Sequence, residues 1–322
     1  MFSSHFSFSL SLISARYLDS QKKVMRRRFL ADEVMHVYQR TVSGFNIFYS
    51  SEDFLVFFTI VSVYVRRYGI ILMGLCQMID HIHLLCYVRS LSDMSRFISA
   101  YTSRFVKEFN SRIGRTGKLF VKEYGSAIKK ESKRIRSAIA YLFNNPVEKM
   151  LCGRAEEYRW NYLKYYAEIN LKSIRYCTSR LQKSVRIVKE AFNNGKYLNY
   201  RLIDTIFKEL DKEERKYLID SIIKLYFPFD IKEVTKYYRS YEDMLTAINS
   251  NTGNEYDIHE QYYGKTDVAY REMITYLKNS GIEDVRSVIT ICEDDKRRLA
   301  TLLKSGTSAT SMQIRKFLHI CP

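Results

Sequence analysis

Two histidines one residue apart, His81 and His83, lie in a β-like run from His81 to Val88. On a strand, side chains at i and i+2 project from the same face, so the two imidazoles can grip one divalent cation while Ile82 points into the core. A second set is Tyr141-Leu142-Phe143-Asn144-Asn145-Pro146-Val147. On a helix, Tyr141 and Asn145 stand one turn apart on the same face, where an amide oxygen can complete a metal site beside the phenol. Each set also has an ordinary structural explanation. A His-x-His triplet is common, the chain has 26 tyrosines to place in a core or at its rim, and Asn-Asn-Pro is a natural way to end a helix.

Positioning these groups requires a definite order of elements. Val34 to Ser43 reads as a strand ended by Gly44, and Ser51, Glu52 and Asp53 then announce a helix that closes at Gly69. Ile70 to Met78 and His81 to Val88 are separated by so little chain that they should pair as a hairpin. After Ser90, apolar residues from Leu91 to Phe109 recur at three and four positions, which predicts a helix ended by Gly114 and Gly117. Lys118 to Ile128 is moderately β-like, and a third helix from about Glu131 should stop at Asn144-Asn145-Pro146. The order β-α-β-β-α-β is that of a ferredoxin-like unit, an antiparallel sheet with both helices on one face and the other face open for a ligand. The expected fold class is therefore α+β, with a mainly helical C-terminal domain.

Composition is that of a folded protein, with 46% hydrophobic and 27% charged residues in 322. The net charge of +17 points to a polyanionic partner, since a basic surface displaces the counterions condensed on phosphates. Residues 1–168 hold 26 Lys and Arg against 14 Asp and Glu, residues 169–322 hold 26 against 21, so nucleic-acid contact should concentrate in the first half. Six cysteines form no CxxC pair, which argues against a zinc ribbon or a disulfide framework and fits a reducing cytoplasm. The apolar run Phe54 to Val65 is too short to span a bilayer, and no membrane partner is expected.

Several motifs together resemble a known family. Met78-Ile79-Asp80-His81-Ile82-His83-Leu84-Leu85 is similar to the MPNHxHLL motif of the single-tyrosine HUH transposases, the insertion-sequence and REP-associated tyrosine transposase superfamily. Tyr141 to Val147 resembles that family's YIHxNPV, Glu157-Tyr158-Arg159-Trp160 its EDYxWSS, and Gly117-Lys118-Leu119-Phe120 the GxLF before the tyrosine helix. The matches keep the family's order over about residues 30–166. Ile79-Asp80 replaces Pro-Asn, Phe143 replaces the usual His, and the paired Ser after Trp160 is missing. The resemblance implies a transposase-type endonuclease acting on single-stranded, often hairpin-forming, DNA through a 5′-phosphotyrosine. It implies Tyr141 as the nucleophile, and His81, His83 and Asn145 as ligands of magnesium or manganese. Relatives include monomers and homodimers that exchange tyrosine helices. A non-catalytic nucleic-acid-binding protein on the same scaffold is the alternative. With no P-loop pattern, no nucleotide cofactor is expected.

Substrate contacts are expected from Arg26, Arg27 and Arg28, from Arg104, Lys107, Arg112, Arg115 and Lys118, and from Lys129, Lys130, Lys133, Arg134 and Arg136. Lys129, Lys130 and Lys133 are also candidates to assist the phenol. Trp160, Tyr162, Tyr165 and Tyr166 offer either base-stacking surfaces or core packing. His36, His259 and His319 lack companions at ligand spacing and read as structural or surface residues.

Three regions follow from this reading. Residues 1–29 are expected to form a disordered or basic N-terminal extension, of which Met1 to Val24 reads as either a disordered extension or an upstream-start artefact. Residues 30–168 form the nuclease domain. Residues 169–322 form the helical domain, with helical periodicity over Ile174 to Phe192, Leu202 to Leu210, Ile219 to Leu225 and Tyr270 to Leu277, and a partial helix-turn-helix at 294–320.

Overall fold

The computed structural model describes residues 33–87, 89–167, 178–250 and 266–321. Arg26, Arg27, Arg28, the rest of the N-terminal extension, His259 and the stretch Ile174 to Cys177 lie outside the described residues. Four strands, β1 (Val34–Arg40), β2 (Ile71–Gln77), β3 (His81–Tyr87) and β4 (Gly125–Lys129), form one sheet in the order β2-β3-β1-β4. Every pairing is antiparallel. This is the ferredoxin-like order, with β1 and β3 at the centre.

Helix α1 (Ser51–Tyr68) starts at a capping box made by Ser50 and Asp53 and ends at Gly69, whose φ of 61° suits the left-handed cap. Helix α2 (Leu91–Ile113) starts where Ser90 accepts a hydrogen bond from the Asp93 amide. Both helices cover one face of the sheet. From that face Gln39 donates to Thr102 Oγ1 (3.0 Å) on α2 and Gln77 donates to the Phe54 carbonyl (3.3 Å) on α1.

Helix α3 (Ser132–Glu148) covers the opposite face, so the face expected to be open is roofed. The approach is close: a Cβ at Gly74 would meet the Leu142 and Phe143 side chains at 3.2 Å. Asn144-Asn145-Pro146 does not stop this helix, which runs on to Glu148. Pro146 sits in the last turn, where its missing N–H costs a single backbone bond and leaves Asn145 helical. Strand β4 is shorter and later than the β-like run suggested; before it, Phe120 bridges Thr41 alone. Gly125 opens the strand because the Tyr38 ring lies over it, leaving no room for a Cβ.

Helical periodicity after the sheet is met by α4 (Ser179–Asn193), α5 (Tyr200–Phe207), α6 (Lys212–Tyr226), α7 (Ile231–Thr235), α8 (Tyr241–Asn249), α9 (Val268–Asn279), α10 (Glu293–Gly306) and α11 (Ser311–Leu318). These helices share a continuous apolar cluster with the sheet and its helices. The seam includes a buried ion pair, Arg286 Nη1 to Asp53 Oδ1 at 3.0 Å, and Tyr200 donates to the same carboxylate at 2.7 Å. Helices α10 and α11 occupy the stretch read as a partial helix-turn-helix at 294–320. Phe317 and Leu318 are buried and Tyr49 donates to the Phe317 carbonyl (2.6 Å), so α11 is a packing helix. Among the described residues, no helix is long and apolar enough to cross a membrane.

Candidate active site

The register of β3 against β1 decides which side chains share the α3 face. His83 lies opposite Tyr38, His36 opposite Leu85, and alternation puts His81, His83, Tyr38 and His36 on one side of the sheet. Helix α3 lays Tyr141 over them: its ring centroid is 5.6 Å from that of His83, edge to face, and 5.9 Å from that of His36. His81 and His83 have centroids 5.1 Å apart. One turn beyond Tyr141, Asn145 Nδ2 is 3.5 Å from His83 Nε2. Tyr141, His83 and Asn145 are therefore brought together within one chain, with His81 at their edge.

Both candidate ligand rings are held through Nδ1. His81 Nδ1 is 2.6 Å from Asp80 Oδ1, which leaves Nε2 as the coordinating nitrogen when Nδ1 carries the proton. Asp80, which stands where the resembled motif has Asn, is the carboxylate in contact with this ring. His83 Nδ1 lies 3.1 Å from His36 Nε2. His36, which has no companion at ligand spacing along the chain, is a buried residue whose partner comes from the neighbouring strand, and spacing along one strand could not reveal it. Strand order and face alternation, taken together, could have.

The site is deep. His36 and His83 are fully buried, Tyr141 is 5% exposed, and solvent reaches the group through the side chains of His81 (12%) and Asp80 (21%). The C-terminal helices wall this rim. Lys316 Nζ of α11 is 3.4 Å from Asp80 Oδ2 and lies across Gly44, where a Cβ would come within 2.9 Å of its stem. Burial works against ionisation of Asp80, but the His81 hydrogen bond and the charges of His81, Lys316 and Lys149 prevail and hold its carboxyl below the usual range. Burial, reinforced by the negative charge of Asp80, raises the Asp267 carboxyl. Lys316 and Asp267 are site neighbours that no spacing rule could find; Lys316 is 236 residues from Asp80.

The residues present fit a divalent cation. Asn145 Oδ1 is buried without a hydrogen-bond partner, and its amide nitrogen faces an imidazole nitrogen. A half-turn of the amide would place two acceptors side by side, an arrangement that a cation between them satisfies. His83 Nε2, His81 Nε2 and Asn145 Oδ1 make a mixed nitrogen and oxygen donor set, suited to manganese or magnesium with further oxygens from a phosphate.

The expected substrate contacts divide by face. Lys130, Lys133, Arg134 and Arg136 are exposed at the entry to α3, and Lys129 is buried on the α3 face. Arg104, Lys107 and Arg112 ride on α2, on the far side of the sheet, and do not converge on the histidines. Arg112 pairs with Asp204 and lies 3.6 Å from Asp284, while Arg115 donates to Asn110 Oδ1 (2.9 Å) and the Lys118 carbonyl (3.0 Å). Lys118 is exposed in the same loop. Of the aromatic residues after α3, Tyr162, Tyr165 and Tyr166 are buried in the core and Trp160 is half-buried against it. Trp160 stacks on Phe54 at 4.5 Å, Tyr162 bonds Gln77, Tyr165 bonds Asp220, and Tyr166 donates to the Met73 carbonyl at 2.5 Å. His319 is buried with Nε2 2.7 Å from the Asn46 carbonyl oxygen, in keeping with a structural role.

Comparison with known proteins gives two matches. Residues 13–145 match the family described as "Transposase IS200 like". Among solved structures, that of a REP-associated tyrosine transposase bound to a REP hairpin aligns with a TM-score of 0.37 and 13% identity, over 48% of this chain and 90% of that one. Among curated proteins, none matches.

Proposed function

We propose, on the match of residues 13–145 to the IS200-like transposase family, that this chain cleaves and rejoins single-stranded, hairpin-forming DNA through a phosphotyrosine at Tyr141. The observation that supports this best is the edge-to-face approach of the Tyr141 ring to His83 at 5.6 Å, with Asn145 one turn away. His81, His83 and Asn145 would hold a divalent cation, magnesium or manganese, whose chemistry is to draw charge from the nonbridging phosphate oxygens and fix the phosphorus for in-line displacement. Tyr141 Oη attacks the phosphorus and loses its proton as that bond forms. The bond from phosphorus to the 3′ oxygen breaks, leaving a 3′-OH and a 5′-phosphate on the tyrosine. The new ester keeps the energy of the broken one, so rejoining needs no nucleotide. Asp80 holds His81 in its coordinating tautomer. Lys129 brings positive charge to the same face, and Lys130, Lys133, Arg134 and Arg136 offer phosphate contacts at the entry to α3. Since phenol and imidazoles meet within one chain, a single subunit contains the whole constellation.

One observation favours a second reading, DNA binding without cleavage: His83 is fully buried and Tyr141 is 5% exposed, so a phosphodiester must lift α3 to reach them. A single assay separates the two. A hairpin oligonucleotide from the gene's own flanks, incubated with manganese, becomes covalently attached to the protein under the first reading, and Tyr141→Phe abolishes attachment while sparing binding. Salt-sensitive binding with no covalent product under any divalent metal would establish the second.

A further inference from the structure

We infer that His36 is a positioning residue, setting the tautomer and the ring plane of His83. This rests on the proposed metal-binding role of His83. A neutral imidazole has one N–H and one lone pair, and coordination through Nε2 requires the proton to be on Nδ1. In this chain the atom facing His83 Nδ1 is His36 Nε2, at 3.1 Å. His83 Nδ1–H then donates, His36 Nε2 accepts, and the proton of His36 resides on its own Nδ1. The His83 Nε2 lone pair is left pointing to the side where Asn145 stands.

Several observations converge on this assignment. His36 occupies a fully buried position on a central strand, where a phenylalanine or leucine would pack without a polar atom to satisfy. Its Cα partner on β3 is Leu85, so the imidazole reaches His83 along the diagonal; the ring centroids are 5.2 Å apart, at 51°. The same ring approaches Tyr141 to 5.9 Å between centroids, so one side chain lies against both the ligand and the nucleophile. His81 has the corresponding support from Asp80. The two ligand rings are thus oriented by different chemistry, a carboxylate at the rim and a neutral imidazole at the buried end.

Glutamine carries its amide near the position of a histidine Nε2, asparagine near that of Nδ1. The test therefore compares His36→Gln with His36→Asn in the full chain, stripped of metal and titrated with manganese chloride by calorimetry. Binding of the Gln variant is expected within about threefold of wild type, and that of the Asn variant weaker by about tenfold or more. At saturating manganese both should recover covalent attachment to the hairpin, because the defect lies in holding the ligand. Wild-type affinity in the Asn variant, or equal losses in both, would overturn the assignment. A second measurement avoids folding defects: long-range nitrogen-15 NMR of the wild-type chain with magnesium should show His83 protonated at Nδ1, and protonation at Nε2 refutes the hydrogen bond. Absence of manganese binding by wild type would instead remove the proposed function, while the tautomer of the metal-free protein would still judge the pairing of the two rings.

Discussion

The two faces of the sheet use the same strands for opposite purposes. Toward α1 and α2 the core is aromatic: Phe57 meets Tyr101 and Phe105 edge to face, Phe48 stacks on Phe54, and the amide of Gln39 is satisfied by Thr102 and Tyr101. Toward α3 the packing is mixed: Ile135, Ile139, Leu142 and Phe143 are buried there, and with them the polar side chains of His36, His83, Lys129, Asn144 and Asn145. Alternation along β1 and β3 delivers a hydrophobic anchor and a polar site residue by residue, so the chemical face is held flat by the packing of the other. Groups behind the aromatic face should then be changeable with little loss of chemistry, and the Tyr141 hydroxyl with little loss of fold.

The comparison can be broken most severely at Tyr141. Tyr141→Phe should lower covalent attachment by at least about a thousandfold with an unchanged melting temperature; residual attachment at the wild-type rate would move the nucleophile elsewhere. The reverse experiment is Arg286→Met, which strips the buried Asp53 behind the aromatic face of its cation. A loss of about 3–5 kcal/mol in urea unfolding is expected, with attachment per folded molecule unchanged. A smaller effect comes from acid. Burial pushes the His319 imidazole down to about 4, so the unfolded chain takes up a proton there that the folded chain refuses. Stability from this residue is complete above pH 6.5 and lost as pH falls toward 4, by about 3 kcal/mol; in His319→Gln that part of the pH dependence should vanish. The smallest effect is on DNA binding. Replacing Lys130 and Lys133 by alanine should reduce the slope of log affinity against log salt by about 1.4, roughly 0.7 for each charge on a single strand, while the same change at Arg104 and Lys107, behind the sheet, should leave it unaltered.

Much of the site was legible because its parts are local. His81 and His83 are two apart on a strand, and Tyr141 and Asn145 four apart on a helix, so periodicity pairs each set, while the joining of the two sets came from the motif resemblance. The start signals at Ser51 to Asp53 and at Ser90, with the glycines at 69 and 114, marked the sheet's two flanking helices for similar reasons, although the first cap is Ser50 and not Ser51. What stayed hidden depends on distant pairing. His36 joins the site only because β1 lies next to β3, and Lys316 only because α11 folds back across Gly44. The roof over the histidines was also missed: α3 was read as the tyrosine's carrier, but its buried side from Ile135 to Pro146 makes it a layer of the fold. Pro146 misled in the same way, since its effect depends on how near the helix end it sits.

One detail at the border of the sheet bears on solubility. The outer edge of β2 is engaged by the chain leading into α7, where Asp230 donates its amide to the Leu72 carbonyl at 2.9 Å and Phe229 bridges Leu72. An open strand edge is a template for pairing with another molecule. Capping this one from within discourages intermolecular β-stacking on that side, so a tendency to aggregate through the sheet would have to begin at β4.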